Sequence, residues 1–165
     1  MITRSAKILL LAGIAVYYTL VVFNNLTDFN SNYQFVRHVL SMDTTFPGNH
    51  GMGRAILSPA ADLAFYWSII AWEIVTTILL WWSVAVLFRR LRAPSVNFHA
   101  SKGVAVLALT LSMLMWLVAF FSVGAEWFLM WQSRVWNGQE AAFRMFTVMG
   151  IVLLLLIQPE TDAQP

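Results

Sequence analysis

The stretch FYWSIIAWEIVTTILLWWSVAVLFRRLR, residues Phe65–Arg92, decides the fold. From Phe65 to Phe88 it is apolar almost throughout, and a helix needs about 20 such residues to cross a hydrocarbon core about 30 Å thick. The stretch therefore reads as a transmembrane helix. Its end carries Arg89, Arg90 and Arg92, and basic residues collect on the cytoplasmic side of a membrane. Inside the run sits one carboxylate, Glu73. A charged side chain at that depth costs about 2.5–3.5 kcal/mol on insertion scales, so its presence needs a reason.

The rest of the chain is of the same kind. Of its 165 residues 59% are hydrophobic and 11% charged, against about 45–50% and 25% in soluble domains. A formal charge of +2 gives no ground for a nucleic-acid partner. The absence of cysteine excludes disulfides, thiolate metal sites, cysteine nucleophiles and thioether-bound haem. No P-loop, GxSxG, HExxH or dinucleotide fingerprint occurs, and the chain is not expected to be an enzyme.

Four spans are expected, at about 8–26, 65–88, 103–130 and 141–157, in one membrane domain covering residues 1–165. The first follows the basic end MITRSAK. No small-x-small cleavage site follows it, so it reads as a retained helix rather than a signal peptide. Ser58-Pro59 has the form of an N-cap with proline at the first helical position, which would start the second helix several residues before the membrane. Pro159 stops the fourth, and an acidic tail follows. Asn137 and Glu140 suit a capping box for that helix, and Glu140 and Arg144 an i,i+4 pair.

Arg4 and Lys7 at the start, and Arg89, Arg90, Arg92 and Lys102 between the second and third spans, stand without acids, whereas the other two connections are mixed. Both termini are therefore expected in the cytoplasm. Residues 27–64 would form a periplasmic cap. In it Tyr33, Val36, Val39 and Leu40 recur at helical spacing opposite Gln34, Arg37 and His38, which predicts a short amphipathic helix on the outer surface. Phe46-Pro47-Gly48-Asn49 reads as a turn.

At 1.5 Å per residue, Glu73 lies roughly 22 Å above the cytoplasmic end of its helix, Arg144 roughly 21 Å, and Asn24 and Asn25 roughly 24–26 Å. Ser122 and Glu126 fall just above them. These depths predict one intramembrane polar layer of Glu73, Arg144, Asn24, Asn25 and Glu126, with Glu73 facing inward within reach of Arg144 or the asparagines. Pairing would remove most of the insertion penalty. Fixing helix register is the bland role for such a layer, handling a proton or ligand the sharper one, and contact of Glu73 with another subunit a third.

The histidines, His38, His50 and His99, lie outside the spans, which argues against bis-histidine haem in the membrane. His38, His50 and Asp43 could approach a metal, but such spacing is common by chance and no metal site is expected. Trp81, Trp82, Trp127, Trp131 and Trp136 suit an interfacial belt. Trp67, Trp72 and Trp116 are candidates to line a lipid or quinone cleft, with plain packing as the default; no other cofactor is expected. Ala108 and Ser112 form a small-xxx-small step that favours close helix approach.

Four segments together resemble a known family: FNNLTDFNSNYQFVRHVLSMD at 23–43, the Trp72-Glu73 step, EWFLMWQS at 126–133 and WNGQEAAFRMF at 136–146. The chain is similar to the bacterial predicted small integral membrane proteins (domain of unknown function two-one-six-five). The resemblance implies a four-helix inner-membrane protein of about this size, and places Glu73, Trp131 and Gln132 at recurrent motif positions. It implies no activity, cofactor or catalytic residue. The expected fold is thus an all-α, four-helix transmembrane bundle whose partners are the bilayer and either other membrane subunits or a second copy. Two functions fit: a non-enzymatic accessory or assembly subunit of a respiratory or photosynthetic complex, or a small proton-linked carrier using the polar layer.

Overall fold

The computed structural model describes residues 1–160; the acidic tail beyond Glu160 lies outside the described residues. Six helices follow one another: α1 (Ile2–Thr27), α2 (Phe29–Ser41), α3 (Pro59–Arg89), α4 (Ser95–Ala100), α5 (Gly103–Leu114, continuing as a π-helix over Met115–Trp127) and α6 (Gln139–Ile157). There is no strand among the described residues. Four of these segments are long and apolar enough to cross a membrane: α1, α3, α4–α5 taken together, and α6. With 31 residues α3 is roughly 46 Å long, well beyond the hydrocarbon core, whereas the 19 residues of α6 give roughly 28 Å and barely span it.

The four long helices close into a ring: α1 packs on α3, α3 on α5, α5 on α6, and α6 back on α1. Each turns one stripe inward. Leu11, Ala15 and Tyr18 come from α1, Leu80 and Leu87 from α3, Ala105, Ala108 and Leu109 from α5, and Met149 and Leu156 from α6. Lipid tails are as apolar as leucine, so burial from water does not drive this packing; close van der Waals fit and interhelical hydrogen bonds do. The fully buried Ala105, Ala108 and Ser112 let α5 approach closely. Tyr18 reaches across from α1 to share a 2.7 Å hydrogen bond with the Ser112 hydroxyl. The outward faces, among them Val75, Ile78, Trp82 and Leu154, remain apolar and exposed, as a lipid-facing surface requires.

At one end of the bundle the start of α1 meets the segment that follows α6. Lys7 and Lys102 place their ammonium groups 2.6 and 2.9 Å from Glu160 Oε1, with Arg4 Nε 3.9 Å from Oε2. Lys7 and Lys102 also each donate to the Gln158 carbonyl at 2.8 Å. Arg4 donates to the carbonyls of Leu91 and Ala93 and lies over the ring of Phe98 in α4. This cluster ties the start of α1, the α3–α5 connection and the end of α6 together.

At the opposite end α2 lies across α3 and the π-helix. Val39, Leu40 and Met42 meet Ala125, Phe128 and Met130 in a second core. The following loop is pinned onto residues 127–136. Phe46 N–H donates to Gln132 Oε1 at 3.0 Å, Thr44 to Ser133 at 2.8 Å, and Arg54 to the Trp127 carbonyl at 3.2 Å. Trp131 stands edge-on to Phe46 at 5.7 Å. The turn at Phe46–Asn49 carries Gly48 at φ 75°. Met42 and Leu129 also hold left-handed backbone, each with φ 55°, at a cost of roughly 1–2 kcal/mol apiece.

Helix α3 begins at Pro59, and Ser58 Oγ accepts a hydrogen bond from Ala61 N–H at 3.4 Å. That length is long for a cap, so Ser58→Ala is expected to cost about 0.5 kcal/mol, the low end for such caps. Unfolding of detergent-solubilised protein by dodecyl sulfate, followed by circular dichroism, measures it. Asn137 Oδ1 accepts from Gln139 N–H at 3.1 Å at the start of α6. Glu140 and Arg144, however, make no ion pair with each other among the described residues: both are exposed.

Candidate functional site

The inner stripe of α3 carries Asp62, Tyr66, Ile70, Glu73, Thr76, Leu80, Ser83 and Leu87, spaced at three and four residues so that all face the bundle. Glu73 is only 5% exposed. Asn25 of α1 faces it and donates from Nδ2 to Glu73 Oε2 at 2.6 Å. Asn25 Oδ1 in turn accepts from Asn32 Nδ2 of α2 at 2.6 Å and from the Tyr66 hydroxyl at 3.4 Å. A short polar chain therefore runs from α2 through α1 to the carboxylate on α3. Glu73 Oε1 has no hydrogen-bond partner among the described residues.

The other expected members of the layer lie elsewhere. The Glu73–Arg144 pair does not form: α6 turns Ala142, Met149 and Val152 inward, and Arg144, two residues past Ala142, lies about 200° around the helix and is exposed. Asn24 lies about 100° from Asn25 and is exposed on α1. Glu126 is exposed beside the buried pair Gly124 and Ala125. Depth placed these side chains at similar heights; facing separates them. The layer reduces to Glu73 and Asn25, joined by two residues outside the expected set, Asn32 and Tyr66. The α2 position of Asn32 and the inward spacing of Tyr66 from Glu73 were the available signals.

Beside this carboxylate is a cavity of about 340 Å³ between α1, α2, α3 and the π-helix, within the range of about 300–1,000 Å³ typical of small-molecule sites. Glu73, Asn25 and Asn32 form its polar end. Its walls are apolar and aromatic, with Phe35, Trp72, Met115, Trp116 and Phe120 among them. Of the three tryptophans considered for a cleft, Trp72 and Trp116 line it, and Trp67 instead lies against Phe29, half-exposed. The lining residues Phe65, Ser68 and Val118 are exposed. Phe65, Ser68 and Val118 flank the seam between α3 and the π-helix, where the cavity opens, and Asn32 of α2 is exposed at the polar end. On the other side of Glu73 the bundle is closed by Leu11, Leu80, Leu87, Ala105 and Leu109, each fully buried.

The π-helix shapes this space. Its i→i+5 pattern shows in the Phe128 N–H bond to the Val123 carbonyl at 3.0 Å and in the Ser122 hydroxyl bond to the Leu117 carbonyl at 3.0 Å. π segments are rare, usually a single turn, and frequent at functional sites; this one covers 13 residues. Gly124 fits there because a Cβ would come within 3.2 Å of the Ala119 carbonyl.

Most side-chain donors around the cavity are committed within the chain. Besides the Asn32–Asn25–Glu73 chain and Tyr66, Trp72 Nε1 donates to the Leu111 carbonyl at 3.1 Å and Ser68 Oγ to the Phe65 carbonyl at 2.7 Å. Trp116 Nε1 has no partner but is enclosed by neighbouring atoms.

His38 shares a 2.6 Å hydrogen bond through Nδ1 with Asp43 and stacks on Trp136. No group of three or more metal-ligating side chains occurs among the described residues.

Comparison with curated proteins and with solved structures gives no match. The sequence does match, over residues 3–159, the family described as predicted small integral membrane protein (DUF2165). Glu73, Trp131 and Gln132 all lie within that match, one at the cavity and two holding the loop that closes the far end of the bundle. The chain is a member of this family of small integral membrane proteins.

Proposed function

We propose that the protein is a non-enzymatic accessory subunit of a larger membrane complex, respiratory or photosynthetic, that holds a lipophilic molecule inside the bilayer. The observation that carries this reading is the cavity of about 340 Å³ beside Glu73, whose lining includes exposed residues along the α3–α5 seam. A molecule entering there comes from the bilayer. The lining offers one carboxylate, amides, a phenol and indoles, but no paired nucleophile and base, which favours binding over catalysis. The basic residues Arg4, Lys7 and Lys102 at the start of α1 and in the α3–α5 connection favour the cytoplasm for that end and the outer face of a bacterial inner membrane for α2.

A proton-linked carrier has less support. A single copy offers no route past the closed packing of Leu11, Leu80 and Leu87. Purification from native membranes in a mild detergent, followed by native mass spectrometry, separates the two. The accessory reading expects additional membrane subunits in fixed ratio and a bound lipophilic mass. A bare homodimer carrying no such mass would overturn it.

A further inference from the structure

The chemistry of the cavity's polar end narrows what it binds. Glu73 is 5% exposed and has its oxygens in different situations: Oε2 is held by Asn25 at 2.6 Å, while Oε1 has no partner among the described residues. Among the described residues no cation pairs with it; their ion pairs gather at the terminal cluster and at His38–Asp43. Asn25 uses one amide N–H on Glu73 and its carbonyl oxygen on Asn32 and Tyr66. Oε1 is thus an acceptor open to the cavity, while the Trp72 indole donates to the Leu111 carbonyl and Trp116 Nε1 is enclosed by neighbouring atoms. Beyond that end the lining is mostly apolar, with the Ser68 hydroxyl at the mouth bonded within its own helix, and it leads to the lipid-facing seam.

We infer that the cavity takes an amphiphile whose head donates a hydrogen bond, a protonated amine or a hydroxyl, to Glu73 Oε1, with its apolar chain leaving between α3 and the π-helix. This rests on the reading of the cavity as a lipophile site and adds the head-group class. A buried acceptor left unmatched costs about 1–3 kcal/mol, and more when charged, so a donor head is favoured over one that only accepts. An amine would also supply the missing positive charge; a hydroxyl would supply the hydrogen bond alone.

The test uses the full-length protein in lipid nanodiscs and three probes of equal chain length: dodecylamine, dodecanol and 2-dodecanone, which only accepts. Bound probe is counted by native mass spectrometry. The expected result is one amine or alcohol per chain at an apparent affinity at least tenfold above that of the ketone. A preference for the amine over the alcohol identifies ion pairing, and equal binding identifies a neutral hydrogen bond; either supports a donor head. Glu73→Leu is expected to bring all three probes to the ketone's level. Ser68→Trp, at the mouth and away from the carboxylate, is expected to weaken all three together, which keeps the test independent of how well the Glu73 variant folds. Saturable binding that ignores the head group, or a preference that survives in Glu73→Leu, overturns the head-group inference alone. Failure of all three probes to bind wild-type protein overturns the lipophile site itself.

Discussion

Replacing Glu160 with alanine is expected to lower the unfolding free energy by about 3–5 kcal/mol, the range for removing one partner from a buried charge cluster. The side chain is 3% exposed and receives Lys7 and Lys102 at 2.6 and 2.9 Å, with Arg4 close by. Without it the two ammonium groups share the Gln158 carbonyl, and Lys102 also lies 3.4 Å from His99 Nδ1. Dodecyl sulfate titration in mixed micelles gives the size of the loss. Lys102→Met combined with Glu160→Gln is expected to be milder than the sum of the single changes, because it removes a buried cation together with its counter-charge. An additive result would mean that the cluster does not act as a unit. The pH dependence has a definite sign. Burial pushes the Glu160 carboxyl up, but the hydrogen bonds and charges of Lys7 and Lys102 outweigh it and hold the group below the usual glutamate range. Its contribution to stability is therefore present above the unfolded value, about 4.3. It is lost as pH falls from there through the lower folded value. Wild-type protein should destabilise over that interval, and Glu160→Gln should not show this component.

Asn25→Ala is the second large effect, expected to cost about 2–3 kcal/mol. The amide joins three helices, donating to Glu73 and accepting from Asn32 and Tyr66. Its removal leaves a carboxylate oxygen without its donor and the Asn32 amide without its acceptor, while the Tyr66 hydroxyl keeps the Asn25 backbone carbonyl at 3.4 Å. Unsatisfied buried groups cost about 1–3 kcal/mol, more when charged. The neighbouring Asn24→Ala is the internal control: that side chain is exposed and has no hydrogen bond among the described residues, so its change should stay within about 0.5 kcal/mol. Equal losses at the two adjacent asparagines would remove the interhelical role assigned to Asn25. Measured in the same micelles, the pair also separates facing from depth.

That separation explains what could be read from the sequence. Length and apolarity specify spans, because the bilayer allows few alternatives for backbone hydrogen bonding, and all four were legible. So was the Ser58-Pro59 start of α3. The inward facing of Glu73 followed from the cost of placing it in lipid. Depth alone could not say that Arg144 points outward, because that depends on which stripe α6 packs, and the stripe of an all-apolar helix is weakly marked. The π-helix left no trace either. Met115–Trp127 contains no proline, and apolar residues on all sides suit either helical pitch, so the cavity it opens was hidden with it. The terminal cluster carries more than its basic residues signal: Arg4, Lys7 and Lys102 read as marks of topology, and Glu160, which the topology rule ignores, is also their shared counter-ion.

The closed packing below Glu73 has a consequence for exchange. The mouth of the cavity lies toward the α2 end, and fully buried Leu11, Leu80, Leu87 and Leu109 occupy the other half of the bundle. A guest can therefore equilibrate with one monolayer only. The fraction of chains occupied would follow the composition of that leaflet and be blind to the other. In vesicles with the protein in a single orientation, adding a guest to one face and then the other should fill the site at different rates, the difference being the time the guest takes to flip across the bilayer unaided.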